Sequence, residues 1–179
     1  MKDLLEIDTS FNENMFITKV NHIFIMLYSA IMMDDMNRVR HFISTELERK
    51  YDKILNDLNS KNLRQMYDEL NVKSTSIESV NITNDKIIIN VSLIARYMDY
   101  LVNKETNKYV SGINDRRIEK RYHLVLEKTI GNNYSSIIRK CPNCGASIDI
   151  NNNGQCKYCK SIFDMENHDY VLTLLEEYN

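Results

Sequence analysis

Glu78-Ser-Val-Asn-Ile-Thr-Asn-Asp-Lys-Ile-Ile-Ile-Asn-Val-Ser-Leu-Ile-Ala95 is the stretch in which the hydrophobic period of this chain changes to two. Val80 and Ile82 alternate with Ser79 and Asn81, the pattern of a half-buried strand. Asn84-Asp85 supplies turn chemistry, and Ile87, Ile89, Val91, Leu93 and Ala95 then continue the alternation. The pattern predicts two antiparallel strands, the second running from Lys86 to about Val102. Beyond the polar turn Asn103 to Lys108, Tyr122, Leu124 and Leu126 alternate with Arg121, His123 and Val125, which predicts a third strand. Consecutive hairpin-joined strands make a meander.

Upstream of this stretch the period is helical. Ser10 with Glu13 has the spacing of a capping box, and Phe16, Val20, Ile23, Phe24, Leu27 and Ile31 follow at helical intervals. Ile25, Met26, Met32 and Met33 fill the other faces, so more than one surface has to cover this helix. Met36, Val39 and Phe42 predict a short second helix. Thr45 with Glu48 repeats the capping-box spacing ahead of Leu47, Tyr51, Ile54, Leu55 and Leu58, the stripe of a third. Helices first and a meander after them is an α+β order, with a curved sheet wrapping the long first helix.

The chain has 23 Lys and Arg against 25 Asp and Glu, so it lacks the basic surplus of a nucleic-acid-binding domain. The first ten residues hold Asp3, Glu6 and Asp8 and lack the order of a secretory signal or transit peptide. The longest nearly unbroken apolar run, Ile23 to Met33, is short of the ~20 residues of a spanning helix. The expected location is the cytoplasm. No nucleophile motif, metalloprotease helix or Gly-rich phosphate loop is present. Asp99, Tyr97, Tyr122 and His123 are the acid–base candidates an isomerase or dehydratase would need, although the phase of His123 sends it to the opposite face from Leu124 and Leu126.

All four cysteines fall near the end: Cys141-x2-Cys144, eleven residues, then Cys156-x2-Cys159. Each pair presents two thiolates from one tight turn, and two turns complete a closed tetrahedral shell around one zinc ion. Two disulfides are the alternative, and the lack of a secretory signal favours metal. A closed shell keeps no open position for water, so the zinc is expected to be structural. Pro142, Gly145 and Gly154 suit the turns. Arg139, Lys140, Lys157 and Lys160 flank them, either offsetting the excess negative charge of the thiolates or, with Tyr158 and Phe163, offering a platform for an anionic partner such as nucleic acid. Residues 139–164 read as a zinc ribbon after an α+β domain over 1–132. Tyr170, Val171, Leu174, Leu175 and Tyr178 predict an amphipathic C-terminal helix within 165–179.

The order of elements, joined to Phe16-x3-Val20, Phe24, Leu27 and Ala30, to Asp35, Val39 and Phe42, and to Val91-x3-Ala95-x3-Asp99-Tyr100 with Thr106, Val110 and Gly112, resembles the Tim44-like domain family over about residues 10 to 128. The trailing four-cysteine segment is similar to that of bacterial members with a zinc ribbon. The resemblance implies a cone of curved sheet around a helix, related to nuclear transport factor 2. It also implies a scaffold that binds a protein partner or lipid without catalysis, as mitochondrial relatives tether an import motor to a membrane translocon. No transmembrane segment is expected; peripheral membrane contact fits. Met26, Met32, Met33 and Met36 would suit an adaptable pocket in such a cone, or simply fill its core.

Because so short a ribbon cannot build a sufficient core alone, its metal-binding energy is its folding energy. Protein purified without chelator should carry about one equivalent of zinc by elemental analysis. Chelation should unfold residues 139–164 and leave most of the circular dichroism intact. Absence of any metal near one equivalent would defeat the assignment.

Overall fold

A computed structural model describes residues 2–9, 11–130, 158 and 170–178. Its elements in chain order are α1 (Lys2–Ile7), α2 (Glu13–Met33), two 3-10 turns (Met36–Arg38 and Arg40–Phe42), α3 (Thr45–Ser60), β1 (Leu63–Ile82), β2 (Lys86–Asn103), β3 (Tyr109–Thr129) and β4 (Val171–Glu177). The strands form one antiparallel sheet in the order β1-β2-β3-β4, the expected meander with one strand added.

α2 begins where Asn12 accepts the Met15 N–H at 3.0 Å, so Asn12 is the cap; Ser10 of the expected box lies outside the described residues. At its other end Asp34 takes a left-handed conformation (φ 55°) and returns its N–H to Ala30 and Ile31 carbonyls. α3 is capped one residue earlier than the spacing predicted, by Ser44 accepting from the Leu47 N–H at 3.2 Å. The expected second helix is instead the pair of 3-10 turns, too short to hold an i to i+4 ladder.

By length and composition α2 could cross a membrane, with 21 residues and a mean hydropathy of 1.4 over its most apolar window. Burial accounts for that apolarity, because Phe16, Val20, Ile23, Phe24, Leu27, Tyr28, Ala30 and Ile31 all lie in the core. They meet the inward residues Ile87, Ile89, Val91, Leu93 and Ala95 of β2 and Leu124 and Leu126 of β3. Each large apolar side chain so buried contributes roughly 1.5–3 kcal/mol.

The expected C-terminal helix is a strand. β4 pairs with residues Tyr122–Glu127 of β3, and Thr173 is an extra residue in that ladder, since Val125 faces Leu174 while Leu126 faces Leu172. The bulge brings Leu172 and Leu175, three positions apart, to the same buried face. That spacing imitates a helical period. Residues 131–169, with all four cysteines, thus lie in sequence between two adjacent strands.

The sheet bends through its irregularities. β1 shifts register between Asp68 and Asn71, between Val72 and Ser74, and between Ile77 and Ser79. β3 carries extra residues where Tyr97 faces Ile118 but Asp99 faces Ile113. The first of the β1 shifts stands beside the same part of β2, and bulges on both flanks of a central strand increase its bend. Just beyond, Gly112 opposes Tyr100 with φ 104°, and a Cβ there would stand 2.5 Å from the Asp99 carbonyl oxygen. Gly112→Ala should therefore lower stability by about 2 kcal/mol or more, through backbone strain and overlap together. Urea unfolding measures it, and a change under about 0.5 kcal/mol would show that the bend is not constrained at this glycine.

Candidate functional site

The interior of the bend is filled by phenols. Tyr28 from α2, Tyr67 from β1, Tyr97 from β2 and Tyr122 from β3 pack tilted or edge-on with ring centroids 4.5–6.1 Å apart, and Phe24 stacks on Tyr28 at 4.3 Å. Tyr51 of α3 packs against the same core. The Tyr97 and Tyr122 hydroxyls bond to each other, and the Tyr28 ring lies edge-on to Tyr122. Buried hydroxyls need such partners, since an unpaired one costs about 1–3 kcal/mol.

At the margin of this cluster sits a charged layer. Lys120 pairs with Asp99 at 3.1 Å and with Glu177 at 2.9 Å, and its ammonium lies 6.0 Å from the centre of the Tyr97 ring. Asp99 also accepts from the Gln65 amide at 2.8 Å. Burial alone would lower the Lys120 pKa, but the bonds to Glu177 and Asp99 outweigh it and hold the ammonium above its usual value. Of the acid–base candidates, Tyr97 and Tyr122 do converge, and Asp99 reaches their rim through Lys120. His123 does not join them: it lies on the other face, with Glu78 at 3.7 Å and Tyr178 at 3.4 Å.

Asp8 is a buried carboxylate, 7% exposed, and it receives the Lys128 ammonium at 2.6 Å and the Tyr170 hydroxyl at 3.1 Å. This contact ties the chain after α1 to β3 and to the start of β4. Nothing in the periodicity marks Asp8, because a carboxylate among helical residues reads as a solvated face.

The methionines divide. Met36 is buried, Met26 is partly buried against the core, and the Met32 sulfur accepts the Tyr67 N–H at 3.1 Å. Met33 points outward, 56% exposed. They do not gather around one cavity. A cavity of about 290 Å3 is lined by Met36 with Asp34, Asp35, Arg40 and Asp52, and one of about 250 Å3 lies beside Phe11, Phe16, Lys19 and Tyr170. At the first, burial pushes the Asp34 carboxyl up, but bonds from Lys104 and Asn59 prevail and hold it below the usual carboxylate range.

Cys141, Cys144, Cys156 and Cys159 lie outside the described residues, as do Arg139, Lys140, Lys157, Lys160 and Phe163. Tyr158, between the second pair of cysteines, is described and exposed.

Helices laid on one face of a bent four-stranded antiparallel meander, with phenols filling the bend, define an α+β domain with a closed interior. The chain belongs to the Tim44-like domain family, whose model matches residues 1–136 and whose members are typically non-catalytic. No curated protein matches the chain.

The phenols give the fold a defined alkaline limit. Burial first, and neighbouring phenols second, push the pKa values of Tyr28, Tyr51 and Tyr97 well above the ordinary 10.0; burial also raises Tyr67 and Tyr122. A raised phenol favours the folded state below the unfolded pKa, and that stability is lost as pH rises above it, because only the unfolded chain releases the protons. Five such groups give a slope of up to about 7 kcal/mol per pH unit, comparable with total stability. Tyrosinate absorbance and far-UV circular dichroism should therefore change together in one steep transition above pH 10. Ionisation of these tyrosines without loss of structure would contradict the closed interior.

Proposed function

We propose that this chain is a non-enzymatic, cytoplasmic interaction module that binds a protein partner through its Tim44-like domain and carries one structural zinc ion on Cys141, Cys144, Cys156 and Cys159. The observation that carries the reading is how the acid–base candidates Asp99, Tyr97 and Tyr122 are used. Asp99 is committed to Gln65 and Lys120, and the Tyr97 and Tyr122 hydroxyls are committed to each other. A general base needs a substrate proton within hydrogen-bond reach, and these groups face protein instead. The family match supports the same conclusion.

Zinc rests on the chemistry of the donor set. Two Cys-x2-Cys pairs supply four soft thiolates, the complement of a closed zinc shell. When bound, the ion would hold the segment together and do no chemistry on a substrate. Its ligands fall in sequence between β3 and β4, which pair with Glu127 opposite Val171. A cross-link within a long connection between paired strands lowers the entropy cost of closing it.

Crosslinking and affinity purification of the full chain from its native cell, beside a Cys141→Ser, Cys144→Ser variant, tests the proposal. The intact chain should carry zinc and crosslink reproducibly to one partner through residues 2–130, and the variant should lose the metal. A lipid recurring in native mass spectra of the gently purified protein would move the assignment from protein to lipid. Turnover of a carbonyl substrate that Asp99→Asn abolishes would overturn the non-enzymatic reading.

A further inference from the structure

β3 is 21 residues long, and β4 covers only Tyr122–Glu127 of it. Beyond that pairing the Tyr178 N–H reaches the Arg121 carbonyl, and from Tyr109 to Lys120 the edge of β3 facing away from β2 has no strand against it among the described residues. Tyr109 and Val110 lie side by side there, 51% and 48% exposed, and Ser111, Gly112 and residues 114–117 are exposed as well. An uncovered edge presents unpaired backbone donors and acceptors, the template on which an extended peptide is added as a strand.

The charge on this edge selects the occupant. Residues 108–121 contain five cations, Lys108, Arg116, Arg117, Lys120 and Arg121, against Asp115 and Glu119. Glu119 is engaged by Lys73 and Arg96 from the neighbouring strands. Lys120 is held by Asp99 and Glu177, Arg117 by Glu69 and Arg116 only by the adjacent, exposed Asp115, while Lys108 and Arg121 form no ion pair among the described residues. The bulge lifts residues 114–117 out of the β2 ladder; Arg116 is exposed there, whereas Arg117 turns toward Glu69 of β1. The opposite edge differs in charge: β1, broken by register shifts as this half of β3 is, carries Asp68, Glu69 and Glu78 against Arg64 and Lys73.

We propose that the uncovered half of β3 captures an extended acidic segment of a protein partner, paired along Tyr109–Ile113, with its carboxylates set toward Arg116 and Arg121. The inference rests on the reading of the chain as a protein-binding module and names its surface. A second copy of this chain is disfavoured, because two such edges bring surplus positive charge together.

The test uses the full chain and a labelled peptide of alternating Glu and Val. Saturable binding is expected, weakening with salt, together with slowed amide exchange confined to residues 109–121. A proline at the centre of the peptide removes a backbone donor and should abolish binding, and Arg116→Glu with Arg121→Glu should weaken it about tenfold or more without altering circular dichroism. The proposal is overturned if the proline peptide binds equally well, if protection falls on β1, if the chain self-associates through this edge, or if a single-stranded oligonucleotide displaces the peptide. Failure to bind any acidic peptide, with native crosslinks mapping to α2 or α3, would remove this surface while leaving the module reading standing. Loss of every protein partner would remove both.

Discussion

Five phenols, one each from α2, α3, β1, β2 and β3, occupy the interior of the bend, and their hydroxyls have to be satisfied there or left at a cost of about 1–3 kcal/mol apiece. An all-aliphatic core tolerates sliding of one layer over another; a hydroxyl network does not, because its bonds weaken steeply with distance and angle. Tyr122, bonded to Tyr97 of the adjacent strand and packed edge-on against Tyr28 of the helix, therefore holds helix and sheet in one relation. The Lys120 bridges to Asp99 and Glu177 extend the same constraint to β4.

That arrangement needs a sheet bent around its helix, and the bend comes from the bulges. Without the extra residues of β3 opposite Tyr97 and Asp99, and the β1 shift beside them, the phenols of the outer strands would stand away from Tyr28. Gly112 permits the closest approach of β3 to β2 just past the bend. The inside of this Tim44-like domain is thus committed to its own stability.

The bulges also explain what the sequence concealed. The inward residues of β1 are Tyr67, Leu70, Val72, Thr75, Ile77, Val80 and Ile82, separated alternately by three and two positions, because each register shift inserts one residue. A reading that expects a period of two finds only the last few. β4 deceives in the opposite way, since the extra Thr173 spaces Leu172 and Leu175 as on a helix. β2 was legible because its inward residues keep strict alternation from Ile87 to Tyr97. Among candidate residues, Tyr97, Tyr122 and the separate facing of His123 were legible from strand phase. The Lys120 bridges and the burial of Asp8 were not, since an isolated charge carries no periodic signal.

The sequence by itself determined the α+β class, the long apolar helix, the meander of β1 to β3, the family and the Cys-x2-Cys pairs, all of which depend on residue type and local spacing. Only the tertiary structure decided that the last apolar run closes the sheet as β4, that phenols from five elements meet, and that half of β3 is left uncovered. These depend on which edge is open and where bulges fall, and such relations between distant segments have no fixed spacing along the chain.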